Sequence, residues 1–264
     1  MPISRMAEMS DERRALPYRV IVEKAMLFSA DQDVSVSIVF RNGQSAEAEE
    51  DADTIFTGFL HLARSGALAG ARIPPPVSGI EGVEFEGWAD NRATWRLRRA
   101  RIDEGAVWSL VQMFRLTHRA WPIERISLRG PSNGEAAPLA SAECDTYPEV
   151  FAARRRVTEL APPMSGSLAL EAEFTRQLQA EECRALRVRI EDWIAASAMG
   201  FYAVPGSEPD ACSVQYDGRI DIVPAALFLS LQRFLCNPAA VFGLANCILS
   251  IESDDLAVSR LSVS

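Results

Sequence analysis

Apolar and polar residues alternate through Val34-Ser35-Val36-Ser37-Ile38-Val39-Phe40, the period of a half-buried strand. Residues 16–27, with Tyr18, Val20 and Val22 at the same spacing, predict a strand before it. Asp31-Gln32-Asp33 is a turn signal that would pair the two as a hairpin. After Arg41-Asn42-Gly43 the period changes, and Ile55, Phe59 and Leu62 recur at helical spacing. They follow an acidic stretch (Glu47, Glu49, Glu50, Asp51, Asp53), which suits the positive end of a helix. Gly66 to Gly70 closes that helix, and Pro74-Pro75-Pro76 forbids regular structure after it. Residues 83–87 and 94–100 read as strands of a hairpin turning at 89–91. Asp103 caps a second helix with Val107, Leu110, Val111 and Phe114 on one face, Pro122 stops it, and 123–128 is a strand.

Residues 131–148, rich in Ser, Ala, Pro and Gly, read as a linker, and 150–160 fits strand or helix equally. Residues 168–174 then predict a strand, and about 181–199 a helix with Leu186, Ile190, Trp193 and Ile194 on its apolar face. Asp217-Gly218 predicts a tight hairpin between 212–216 and 219–222, because the pair tolerates positive φ. Pro224 would open a helix carrying Leu227, Leu231, Phe234 and Leu235, with 247–251 as the closing strand. The tail from Asp254 fits a strand or a frayed end.

Both stretches follow the order β-α-β-β-α-β. Residues 34–40 overlie 168–174 at an offset of 134 (168 − 34), which also sets Phe59 on Trp193, Leu60 on Ile194 and Gly66 on Gly200. Further on, the best local matches put 83–87 on 214–218 at 131 (214 − 83) and Arg101-Ile102-Asp103 on Arg219-Ile220-Asp221 at 118 (219 − 101). Residues 126–128 match 249–251 at 123 (249 − 126). The expectation is an α+β chain of two tandem ferredoxin-like halves, with mainly antiparallel sheets and helices on one face. Residues 1–130 form the first half with an N-terminal extension, 131–166 the connecting segment, and 167–264 the second half. A sheet covered on one face leaves the other to be buried by its sister half or by a second chain, so a homodimer is among the expectations.

Composition narrows the function classes. A chain of 264 residues that is 48% hydrophobic and 24% charged can bury a core. A formal charge of −9 disfavours nucleic acid and anionic membrane as general partners. Residues 1–14 lack the apolar centre of a signal peptide, and no run approaches the ~18 apolar residues of a membrane span. The five cysteines (Cys144, Cys183, Cys212, Cys236, Cys247) are odd in number and form no Cys-x-x-Cys pair, which points to reduced thiols in a cytoplasm rather than zinc or a disulfide framework. Lys24 is the only lysine among 27 basic residues, a bias that a GC-rich bacterial genome accounts for.

Chemistry-bearing signals are few. His118 extends the apolar face of the second helix near its end, where a core or capping role fits a histidine better than catalysis, and His61 falls on a polar face. Neither belongs to a nucleophile elbow or a zinc signature. Cys183 beside Arg184 at a helix start is a candidate low-pKa thiol, though a structural thiol is the commoner case. Asp103 and Asp221, equivalent in the two halves, read as helix caps rather than paired carboxylates, and the acidic stretch 47–53 lacks the spacing of a calcium loop. No cofactor or metal is indicated.

The one unusual feature is arginine interleaved with tryptophan between 92 and 129. Arg96 and Arg98 share one face of the hairpin strand, and Trp95, Leu97 and Arg99 the other. Such a mixture clamps anions or anchors interfaces, unless cross-strand pairing with Glu84 and Glu86 neutralises it. The candidate ligand-binding residues are therefore Trp95, Arg96, Arg98, Arg99, His118 and Arg119. The leading expectation is a non-catalytic binding protein meeting a protein partner, itself, or a small anionic ligand. The alternative is an enzyme acting on a small anionic substrate in the cleft between the halves. A third is a nucleic-acid binder using an exposed sheet face.

Overall fold

The computed structural model describes residues 16–23, 31–68, 80–131, 135–138, 157–160, 167–201, 219–232 and 238–263. The first half contains β1 (Arg19–Glu23), β2 (Gln32–Phe40), α1 (Ala46–Ser65), β3 (Gly82–Ala89), β4 (Arg92–Ala100), α2 (Glu104–Ala120), β5 (Ile123–Arg129) and β6 (Ala136–Pro138). The second contains β7 (Val157–Leu160), β8 (Leu168–Phe174), α3 (Ala180–Ala198), β9 (Ile220–Val223), β10 (Ala226–Leu231), α4 (Pro238–Leu249) and β11 (Val258–Val263). The chain is thus a mixed α+β protein with two sheets, ordered β3-β4-β2-β5-β1-β6 and β7-β11-β8-β10-β9. Neighbouring strands run antiparallel except β1 with β5 and β7 with β11, which are parallel.

Register repeats between the sheets. Val34 faces Leu97 and Leu168 faces Leu231, both partners displaced by 134 positions (34 to 168, 97 to 231). Phe40 faces Ile123 and Phe174 faces Val258, the last strand being displaced by 135 (123 to 258). Two backbone bonds recur with the same displacements. Phe40 donates to the Asn91 carbonyl at 2.9 Å, as Phe174 does to Ala225 at 2.9 Å. Arg41 donates to Pro122 at 2.8 Å, as Thr175 does to Ala257 at 2.9 Å.

Several expectations change in the second half. The hairpin turns at Pro224-Ala225, so Pro224 opens no helix and 226–231 is a strand; Asp217-Gly218 lies outside the described residues. Buried Leu227, Leu229 and Leu231 alternate with exposed Phe228 and Ser230, but Leu227 and Leu231, four apart, also fit a helical stripe. The helix is Pro238–Leu249, which absorbs most of the expected closing strand, and the tail supplies that strand as β11. Local offsets of 131, 118 and 123 give way to one displacement of 134–135. In the first half, β1 does not pair with β2 as a hairpin; it lies on the far side of β5, and β6 forms inside the stretch read as linker.

Burial explains the layers. Val34, Val36, Ile38 and Phe40 of β2 and Trp95 and Leu97 of β4 point into one core with Ala52, Phe56, Phe59 and Leu62 of α1. Ser45 caps α1 by accepting from the Ala48 amide at 3.3 Å. Gly66 ends it at φ 83, with its own amide and that of Ala67 turned back onto Ala63 and Leu62, a closure that glycine makes without Cβ strain. The halves meet through their helices: α1 packs on α3, which also packs on α4 of its own half. Contact is close, since a Cβ on Gly58 would stand 2.4 Å from the Phe201 ring. His61, expected on a solvated face, instead sits 2.7 Å from Asp192 of α3.

At the junction the C-termini of α1 and α4 converge on Arg189, which donates to the Ser250 hydroxyl. Helix C-termini carry partial negative charge, so this half-buried guanidinium needs no carboxylate there. Cys247 beside it is fully buried, which pushes its thiol from 9.0 up to about 12. Burial also raises the Tyr18 phenol, whose hydroxyl donates to the Val111 carbonyl. Unfolding at high pH releases both protons. The contribution of these two groups to stability is therefore expected to be level from neutral pH to about 8.5 and to fall progressively above about pH 9, where the unfolded thiol and then the phenol ionise. Thermal melts from neutral to alkaline pH check this, and Cys247→Val should flatten the alkaline fall.

Candidate functional site

The side chains on the outer face of the six-stranded sheet, opposite α1, follow from register. One cross-strand row reads Glu84, Arg96, Ser35, Arg129. The next reads Thr94, Ser37, Ser127, Ile21, with the Ser37 and Thr94 hydroxyls 3.2 Å apart. The third reads Arg92, Val39, Arg125, Arg19. Two arginine-bearing rows thus flank a row of hydroxyls. Arg19, Arg92, Arg125 and Arg129 are exposed and make no ion pair among the described residues.

The arginine–tryptophan patch divides along the strand period. Arg96 pairs with Glu86, and Arg98 lies 3.8 Å from Glu84, so the expected cross-strand neutralisation operates where the patch was placed. These pairs are exposed and hold little energy each. Arg99 adopts φ 47; Asp33 accepts from its amide at 3.1 Å, and its guanidinium lies 3.6 Å from both Asp31 and Glu81. Trp95 is not on the surface. It is fully buried, and its indole donates to Asp53 at 2.6 Å. Trp88 donates to Glu49 at 2.7 Å and Trp121 to Asp51 at 3.0 Å. The acidic stretch of α1 therefore anchors three indoles, a long-range use that no local spacing reveals.

His118 and Arg119 lie away from Arg96 and Arg98, at the end of α2. The His118 ring accepts from the Ile123 amide at 2.9 Å and sits 5.5 Å from the Tyr18 ring. Burial, and then the charge of Arg41, hold its pKa below the usual histidine range. It closes the α2–β5 turn, and Arg119 is exposed beside it. Asp103 caps α2 through the Ala106 amide at 2.8 Å, whereas Asp221 stands within β9 and pairs with Arg219 at 2.7 Å, so the two aspartates are not equivalent. Cys183 is a half-buried free thiol. Among the described residues no cluster of His, Cys, Asp and Glu is placed to hold a metal ion.

Near the same end of the sheet is a cavity of about 190 Å³, lined by Phe40, Ala48, Trp121 and Pro122, with Asn42, Gln44 and Ser45 around it. Register locates its counterpart in the second half, where Arg176 stands at the place of Asn42 and Glu182 at that of Ala48. There Arg176 grips Glu182 through two bonds of 2.9 and 2.7 Å and lies 3.1 Å from Asp255. The pair holds the Glu182 carboxyl below its ordinary range. Leu178 and Leu256, at the places of Gln44 and Trp121, are buried. The position is filled in one half and open in the other. No protein-family model matches the chain, and no curated protein matches it.

Proposed function

We propose that the chain is a tandem duplication of a ferredoxin-like unit that works as a non-catalytic binding protein in a bacterial cytoplasm. Its contact surface is the outer face of the first sheet, and its target is an anionic group presented by a protein partner or a small ligand. The shared strand order and the common displacement of 134–135 support the duplication. Free thiols at Cys183 and Cys247 accord with a reducing compartment.

The observation that carries the binding reading is the set of exposed arginines, Arg19, Arg92, Arg125 and Arg129, which make no ion pair among the described residues and surround a hydroxyl row, in a chain of net charge −9. Guanidinium groups and hydroxyls on one face donate to carboxylate, sulfate or phosphate oxygens, and the carboxylate in these rows, Glu84, stands at the far end beside Arg96 and Arg98. The arginine patch read from sequence is thereby moved from Arg96 and Arg98, which are paired, to these neighbours. For the alternative, an enzyme in the cleft between the halves, the observation is the His61–Asp192 pair, while Arg189 is engaged with Ser250 and Asn246 with the Ala67 carbonyl at 3.3 Å.

Heparin, a soluble polyanion, is a direct probe. The wild-type protein is expected to be retained at low salt despite its acidity and to elute as screening increases. Arg92→Ser/Arg125→Ser/Arg129→Ser should pass through with an unchanged melting temperature, since all three side chains are exposed. Failure of the wild type to bind, or equal retention of the variant, would refute the assignment.

A further inference from the structure

We propose that the cavity walled by Phe40, Ala48, Trp121 and Pro122 binds one flat, uncharged heteroaromatic ring of the nucleobase class, with Asn42 and Gln44 reading the ring's edge. This goes beyond the arginine face and does not depend on it.

The first argument is the difference between the halves. At the equivalent place in the second half, the Arg176–Glu182 pair and the buried Leu178 and Leu256 leave the position filled. The first half has a smaller residue at two of these places, Asn42 for Arg176 and Ala48 for Glu182. It has an amide in place of a leucine at Gln44 and an indole in place of a leucine at Trp121. Every one of these changes either opens space or adds a ring wall or an amide.

Size and chemistry set the class of occupant. The pocket is open to solvent on the side of the exposed Asn42 and Gln44, and its volume of about 190 Å³ seats one ring system with any substituent left outside. The wall residues are aromatic or apolar, and aromatic walls stack on any base. Trp121 is held in place by the bond from its indole to Asp51. No charged side chain lines the cavity. Asn42 and Gln44 each offer a donor and an acceptor side by side, the arrangement that matches the paired donor and acceptor edge of a base. A plain hydrocarbon ring would use the walls and leave both amides idle.

Adenosine, guanosine, cytidine and uridine are the probes, chosen because they lack phosphate and so cannot report on the arginine face. Saturation-transfer NMR on the full chain reads binding, with phenol as the plain-ring control. At least one nucleoside is expected to show saturable transfer to its base protons, with phenol binding at least tenfold more weakly. Asn42→Arg/Ala48→Glu transplants the ion pair of the second half and should weaken nucleoside binding at least tenfold while the protein still melts cooperatively. If that variant fails to fold, Trp121→Leu, which installs the residue the second half uses, serves the same purpose. The arginine triple variant should bind nucleosides as the wild type does, so either reading can fail alone. Absence of saturable transfer for all four nucleosides, equal binding of phenol, or unchanged binding by the plugged variant would each overturn the assignment.

Discussion

Trp95→Ala is expected to cost about 3–5 kcal/mol of stability, the range for removing a large aromatic from a packed core. The indole is wholly inaccessible, its ring centroid lies 5.1 Å from that of Phe56 and 5.0 Å from that of Phe85, and its N–H is bonded to Asp53. Truncation removes a contact on each side of the sheet–helix interface and the tie to α1 together. The neighbouring position separates this from a local backbone effect. Arg96→Ala, one residue along the same strand but on the exposed face, should change stability by less than about 0.5 kcal/mol, because an exposed ion pair contributes little. Trp95→Phe should fall between them, at about 1–2 kcal/mol, keeping much of the packing and losing the bond. Urea denaturation of the three variants orders them. A Trp95→Ala cost below about 1 kcal/mol would mean that the ring is not packed as described. Since whole domains are stable by only about 5–15 kcal/mol, the loss should also reduce soluble yield.

Trp95 also shows where a sequence can be read and where it cannot. Alternation in 34–40 placed β2 correctly, and the same pattern at 168–174 placed β8, because each strand has one buried face and the period is unambiguous. The first helices of each half were legible for the same reason, and an offset of 134 between them holds in the register of the pairs. In β4, alternation separated Trp95 and Leu97 from Arg96 and Arg98, yet it could not say which set faced the core. Asp53, which accepts from the Trp95 indole, is 42 positions away. The helix α4 was missed because Ala240, Val241, Leu244, Ala245, Cys247 and Ile248 are all buried, so it has no polar face to give it a period. The rows of arginine and hydroxyl were invisible for a different reason. Arg92 and Arg125 share a row only because both pair with Val39, a relation set by strand order and not by spacing. Likewise the cavity depends on a comparison of Asn42 with Arg176, which needs the register to be known.

Gly66→Ala is expected to destabilise by about 2–4 kcal/mol, and the comparison with Gly43→Ala shows why. The two glycines have nearly the same backbone, φ 83 and φ 85. A Cβ on Gly43 would meet nothing within 4 Å, so its substitution costs only the left-handed backbone, about 1–2 kcal/mol. A Cβ on Gly66 would stand 2.7 Å from the Ser250 hydroxyl oxygen and 2.9 Å from the Ser250 Cβ. That hydroxyl cannot swing away cheaply, because it accepts from Arg189 and donates to the Cys247 carbonyl at 2.6 Å. The difference between the two variants therefore measures how tightly the helices of the two halves are locked. Ser250→Gly removes both clashing atoms, so in a double-mutant cycle it should recover about 1 kcal/mol or more of the Gly66→Ala cost, net of its own. Because one core joins the halves, the wild type should unfold in a single transition, and Gly66→Ala should shift that transition as a whole. Equal costs at Gly43 and Gly66, or a wild-type curve with two separate transitions, would show that the halves fold independently and that the junction is not the lock proposed for it.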